Sequence, residues 1–281
     1  ISTVTTKDKI YSIDALGRIT QVELTGSRYK DENGKNIKIF DNYIILKPLE
    51  LRFSNQDINN EAFNTEVEVS SKSLNSIDKA QTITTTQKLS KLTITKNITF
   101  YPDGNYDVKI NLSDNYDYFI STGSRPSVLV DMYTFHGALI QQTDDTLKMI
   151  DDEDCERNEE ILGAKFAAAV DRYYTTALYS KNQLLNVIVS ADINSNPNLF
   201  VKGQKELILG GYIGPKDYQT LSAIDPALTN IIEYGWFTFL AKPMFTILQY
   251  IYSLVGNWGW AIVIITILLK LLLYPLAHKG M

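Results

Sequence analysis

The 281 residues contain one cysteine and two histidines. A single thiol, Cys155, closes no internal disulfide and supports no zinc-ligand spacing. It lies in Asp-Asp-Glu-Asp-Cys-Glu-Arg, where neighbouring carboxylates raise a thiol's pKa rather than activate it. A basic excess is also missing. Lys and Arg number 27 against 32 acids, for a net charge of −5, with no basic arm and no aromatic-plus-basic stripe. That distribution excludes nucleic acid as the expected partner. No glycine-rich phosphate cradle occurs, and neither a metal nor a cofactor is expected. The chain is long enough to bury a core without a staple. It opens on Ile1 with no signal peptide ahead of it, which reads as a processed or trimmed chain.

What is present divides into two parts. Residues 1–215 read as short strands. In Lys91–Phe100, Leu92, Ile94, Ile98 and Phe100 share one face, with Lys96 the exception, and Thr and Asn occupy the other. That is period two with β-branched residues. Tyr101-Pro-Asp-Gly-Asn105 supplies turn chemistry, and Tyr106–Leu112 alternates again, so a β-hairpin is expected. Similar runs fall at 19–24, 37–40, 43–46, 49–53, 128–135, 173–179, 184–189 and 206–212, separated by Gly, Asn, Asp and Pro clusters. Many strands with few helical periods imply a large antiparallel sandwich, a mainly β fold. Residues 151–160 contain seven acids and one arginine. They read as a solvated loop, because the EF-hand spacing and its glycine are absent.

After Pro215 the pattern turns helical. Residues 216–232 are expected to form short helices that end the domain. From 233 to 256 the polar positions Thr238, Lys242, Thr246, Gln249 and Ser253 form one stripe on a helix. Pro243 marks a kink or a helix start. Such a helix suits a membrane interface. Residues 257–277 then read as a transmembrane helix, and 278–281 as the start of a cytoplasmic segment. Trp258 to Leu276 approaches the bilayer's hydrocarbon thickness of roughly 30 Å. Trp236, Phe237, Trp258, Trp260 and Tyr274 are the candidate interfacial anchors. His278 and Lys279 beyond the second end place it inside and residues 1–256 outside.

Lys270 interrupts the apolar run. One reading is a lysine that snorkels to the headgroups. The other is a cation facing a polar cavity in a helix bundle, since intramembrane charge is costly and marks a pathway or partner site. A single helix makes no cavity, so the second reading requires further spans.

The stretch Tyr234-Gly-Trp-Phe … Lys242-Pro-Met-Phe … Val255-Gly-Asn-Trp-Gly-Trp-Ala-Ile-Val-Ile-Ile-Thr … Lys270 … Tyr274-Pro-Leu strongly resembles the YidC family of membrane-protein insertases. Gly163-Ala-Lys-Phe, Asp171-Arg-Tyr-Tyr-Thr-Thr-Ala177, Gly210-Gly-Tyr-Ile-Gly-Pro215 and, more weakly, Ala15–Leu24 are similar to segments of that family's periplasmic domain. The resemblance implies a β-supersandwich of the galactose-mutarotase-like kind. It also implies further transmembrane helices outside this chain that form a hydrophilic groove. A cation lines that groove, normally an arginine. Lys270 holds the matching position, keeping the charge but losing the bidentate fork. The implied function is insertion and folding of inner-membrane proteins, alone or with the Sec translocon. Nascent membrane proteins, the lipid bilayer and, through segments outside this chain, the ribosome are the implied partners, and no catalysis is implied. Two rivals stand beside it. One is a membrane-tethered carbohydrate-binding or sugar-modifying domain, although His136 is the one histidine of the β region and a lone histidine reads as structural. The other is a passive tether.

Overall fold

In this computed structural model the described residues are 2–41, 46–128, 134–232 and 238–279. The side chains of 238–242 and 275–279 lie outside that description. Most of each of the expected strands at 43–46 and 128–135 falls outside it as well. The chain divides into two compact units, Ile1–Ile232 and Glu233–Met281.

The first unit is mainly antiparallel β, as expected. Five strands form a small sheet: β1 (Ser2–Thr5), β2 (Lys9–Ile13), β3 (Ile19–Leu24), β4 (Ile37–Lys38) and, placed later in the chain, β7 (Ser73–Asn75). The larger sheet uses β5 (Leu51–Phe53), β6 (Glu68–Val69), β8 (Gln81–Lys88), β9 (Thr93–Phe100), β10 (Asn105–Leu112) and β11 (Asp117–Ser121). It continues with β12 (Gly137–Gln142), β13 (Leu147–Asp151), β14 (Glu159–Val170), β15 (Tyr174–Ser180), β16 (Leu185–Ala191), β17 (Pro197–Gln204) and β18 (Glu206–Pro215). The β9–β10 hairpin forms as its alternation dictates, with Tyr106 opposite Phe100 and every second side chain buried. One helix, α1 (Gln56–Asn64), was not anticipated. Its nine residues carry only Ile58 and Ala62 as buried positions, too few to leave a periodic signal.

The long strand β14 turns this ladder into a sandwich. Ala164 pairs with Gln142 of β12 on one edge and Leu185 of β16 on the other. Residues 166–170 pair with β12 on the first edge and β15 on the second. So β15 and β16 occupy successive stretches of one edge. Between them lies a register break beside Gly163, whose φ of +74° a residue with a Cβ rarely adopts. Two branches diverge there: β16-β17-β11-β5 and β15-β18-β10-β9-β8-β6. Val187, Val201 and Ile120 of one branch share a buried cluster with Ile98, Val108 and Leu209 of the other. Tyr11, Ile13 and Val22 of the small sheet enter the same cluster. The Gly163-Ala-Lys-Phe motif is therefore the fold's corner.

Three cross-strand pairs set tyrosine against glycine: Tyr106 with Gly211, Tyr179 with Gly210, and Tyr118 with Gly203. Each ring lies across its glycine so closely that an added Cβ would overlap ring carbons. An aromatic ring laid over a cross-strand glycine restores the apolar contact that the glycine lacks. The Gly210-Gly-Tyr-Ile-Gly motif is thus a packing surface.

Two buried lysines tie the sheets together reciprocally. Lys9 of β2 donates from Nζ to Gly104 O (2.8 Å) and Ile213 O (2.7 Å), with the Tyr212 ring centroid 4.0 Å away. Lys96 of β9 donates to Gly17 O (2.6 Å), in the turn before β3, and to Leu49 O (3.2 Å). Burial pulls both ammonium groups down, Lys9 to about 7 and Lys96 to about 8. Beside Lys96, Arg18 binds Asp14 (2.8 Å) and the buried Glu50 (3.0 Å), and Arg52 closes on Glu50 (3.0 Å).

The outer face of β14, β15 and β18 is covered by α2 (Tyr218–Ile224) and a 3-10 turn (Pro226–Ile231). Leu221, Leu228 and Ile231 pack there on Leu139, Phe166 and Val170. Asp217 and Asp225 cap the two segments. Asp225-Pro226 breaks what the sequence shows as one helical period, because proline suits the first position of a new turn and not a helix interior.

The second unit holds α3 (Thr238–Val255) and α4 (Trp258–Lys279). Among the described residues no helix is long and apolar enough to cross a membrane. The transmembrane helix expected over 257–277 is therefore not established here. A span needs about 20 apolar residues, and the described side chains of α4 end at Tyr274.

Candidate functional site

The two helices of the second unit are joined by Gly256-Asn257. Gly256 has φ +67° and its N–H donates to Tyr252 O (2.8 Å), closing α3. Asn257 Oδ1 then accepts from Gly259 N (2.8 Å) and Trp260 N (3.2 Å), opening α4. This two-residue switch folds α4 back on α3. Ile251, Ala261 and Ile265 form the buried seam, flanked by Met244, Leu248, Tyr252, Ile264 and Leu269. Asn257→Ala should cost about 1 kcal/mol of cap energy. Faster hydrogen exchange at the first turn of α4 would register it, while unchanged exchange would show that the seam alone holds the turn.

On α3 the described part of the polar stripe, Thr246, Gln249 and Ser253, lies opposite the seam. Ser253 donates to Tyr250 O (2.7 Å), and Thr266 of α4 to Ile262 O (2.7 Å), so both hydroxyls are satisfied within their own helices. The rest of α4 is apolar and exposed in this chain. Ile262, Val263, Ile267, Leu268, Leu271, Leu272 and Leu273 are distributed around it, with Leu272 at 70% exposure. A helix apolar on all sides belongs inside protein or lipid.

Lys270 sits among those leucines and is itself exposed. Of the expected anchors, Trp258 stacks on Tyr252 with ring centroids 4.0 Å apart, which joins it to the helix seam. Trp260 and Tyr274 are exposed near opposite ends of the described part of α4. Trp236 and Phe237 lie outside the described residues. Cys155 is buried, and burial pushes its thiol up. His136 is nearly buried, with Thr134 Oγ1 3.5 Å from Nε2. Among the described residues no group of three or more His, Cys, Asp or Glu could hold a metal ion.

A family model described as the YidC periplasmic domain matches residues 2–247, which takes in the sandwich, its helical cover and part of α3. This chain belongs to the YidC family. Its relatives carry the same name. A Campylobacter jejuni protein described as membrane protein insertase YidC is 43% identical over all of this chain and 53% of its own length. One from Wolinella succinogenes is 42% identical over 96% of this chain and 50% of its own. One from Helicobacter pylori is 38% identical over all of this chain and 55% of its own. The chain thus spans about half the length of these YidC relatives. Among solved structures, an active YidC insertase with its first transmembrane domain resolved is similar over 98% of this chain and 55% of its own, at 15% identity and a TM-score of 0.40. Thermotoga maritima YidC gives 13% identity, 99% and 71% coverage and a TM-score of 0.40. The family assignment rests on the family model and the relatives.

Several features of this YidC chain left little trace in the sequence. Lys9 shares the buried face of β2 with Tyr11 and Ile13, and a five-residue strand is too short for its period to single the lysine out. Gly256 and Asn257 entered the sequence reading only as part of the Val255-Gly-Asn-Trp-Gly-Trp motif, not as a cap.

Proposed function

We propose that this chain is part of an inner-membrane insertase that helps integrate and fold membrane proteins. In this reading α4 crosses the bilayer and α3 lies at the interface. The β unit, a galactose-mutarotase-like supersandwich, stands on the periplasmic side, and Lys270 lines a hydrophilic groove completed by helices outside this chain. Nascent membrane proteins are the substrates, and the Sec translocon and the ribosome are partners of the whole protein. The support is the family match together with one structural observation: α4 carries one cation in a stretch that is otherwise apolar around its circumference.

The chemistry follows from solvation. A polar tail crossing the bilayer loses water from its backbone and charges. A wet half-groove thins that barrier, and a fixed ammonium attracts acidic residues and repels basic ones. Partition of the substrate's apolar helix into lipid supplies the free energy, at about 0.8 kcal/mol per buried methylene. No covalent chemistry and no nucleotide enter. The test is complementation of insertase-depleted cells by the full-length protein. Lys270→Glu should insert a substrate with an acidic translocated tail at least about tenfold more slowly, a loss of roughly 1.4 kcal/mol, while Lys270→Arg stays active. Full activity of Lys270→Glu would remove the electrostatic role.

A further inference from the structure

Strand β13 is an edge among the described residues, where it pairs with β12 alone. The bonds Gln142 N to Thr146 O and Asp152 N to His136 O frame the ladder. Antiparallel alternation then points the backbone of Lys148 and Ile150 toward β12 and turns that of Leu147 and Met149 to the open side. Met149 is 44% exposed. Along this strand runs a groove of about 330 Å³, with Lys148, Ile150, Asp151, Asp154, Glu156 and Arg157 among its walls.

The rim is acidic beyond its internal pairing. Lys148 is held by Glu159, Arg125 by Asp152, and Lys165 by Asp145. Asp151, Glu153, Asp154, Glu156 and Glu160 remain exposed, with Arg157 the one basic residue in the same stretch. An open ladder edge offers alternating donors and acceptors to an added strand, and its side-chain surroundings decide which strand. A second copy of this chain would bring the same acids against these, and repulsion disfavours it.

We propose that the β13 edge binds an extended polypeptide segment bearing lysine or arginine, by strand addition. Its backbone bonds Leu147 and Met149, and its cations meet Asp151, Asp154 and Glu156. This surface lies wholly in the β unit and does not depend on Lys270.

The experiment uses the chain in detergent micelles and fluorescence anisotropy of short labelled peptides that alternate lysine with threonine or valine. The comparison peptides replace lysine by glutamate, or carry N-methyl groups on alternate amides. Binding of the lysine peptide should weaken about tenfold or more with the glutamate peptide, with Asp154→Lys combined with Glu156→Lys, and at high salt. N-methylation should abolish it. Met149→Pro removes one outward N–H while leaving the β12 ladder intact, the placement in which a strand tolerates proline, and it should also weaken binding. Both protein variants must keep the wild-type melting profile to be scored, and the peptide comparisons need no variant. Undetectable binding of the lysine peptide, equal binding of the N-methylated or glutamate peptide, or indifference to the double charge reversal would each overturn the proposal.

Discussion

Gly211→Ala should destabilise the β unit by about 4 kcal/mol, near the upper end for a single methyl group. The added Cβ would overlap Cε2 and Cζ at the edge of the Tyr106 ring, and Tyr106 is itself 1% exposed. Tyr106 has nowhere to go. It lies against Phe100 (centroids 5.8 Å) and Tyr11 (6.2 Å), and Tyr11 is pinned by its hydroxyl to Gly104 O (2.6 Å). For a unit of this size the change should lower the melting temperature by roughly 10 °C, followed by far-ultraviolet circular dichroism of the chain in detergent. The mechanism is overlap, so shortening the ring should relieve it. In a Tyr106→Leu background the same Gly211→Ala change should cost far less, a coupling of about 2 kcal/mol. Additive losses in that cycle would show that Gly211 matters for its backbone and not for the ring above it.

Replacing Lys96 or Lys9 by methionine should cost more at alkaline pH than at neutral pH. Lys96 satisfies two buried carbonyl oxygens, and Lys9 is the donor to Ile213 O while sharing Gly104 O with the Tyr11 hydroxyl, so methionine keeps the volume but orphans two carbonyls at Lys96 and one at Lys9. An orphaned buried carbonyl costs about 1–3 kcal/mol. Against this stands the cost of burying an ammonium group, which methionine avoids. The balance depends on protonation. In the unfolded chain these amines hold their proton up to 10.5, while in the fold they release it at about 7 for Lys9 and about 8 for Lys96. Between those values the unfolded state binds more protons, so stability rises with pH. The neutral amine still has two N–H groups, enough for both carbonyls. Chemical denaturation of Lys96→Met should therefore show a loss of about 1 kcal/mol near neutrality, widening to about 3 kcal/mol toward pH 10. A pH-independent loss would mean that the lysines keep their charge in the fold.

Much of the β unit was legible because antiparallel strands with one buried face alternate. Leu92, Ile94, Ile98 and Phe100 fell inside as their spacing required. The edge strands β4 and β5 lay within the expected runs at 37–40 and 49–53, but β6 and β7 left no signal, since two or three residues carry no period. Strand β14 was missed for a different reason. Ala167 to Val170 is buried on both faces, so its run reads as a small-residue segment rather than an alternation. Lys96 was visible as an exception on an apolar face, but nothing local says whether such an exception is an error of register or a tie to another sheet. The carbonyls that decide it, Gly17 and Leu49, are 79 and 47 residues away.

By itself the sequence determined a mainly β body, a hairpin at 91–112, a helical closing segment and an apolar stretch with Lys270 in it. These depend on side-chain period and turn chemistry, which act over a few residues. Tertiary structure alone decided that β14 splits one ladder into two facing branches at Gly163. It also decided that Gly210 and Gly211 seat tyrosine rings, that Lys9 and Lys96 bind carbonyls across the sheets, and that among the described residues β13 keeps an open edge. Each of these depends on groups brought together from distant parts of the chain, and a linear pattern does not encode which backbone oxygen or which ring will stand opposite a residue once the sheets close.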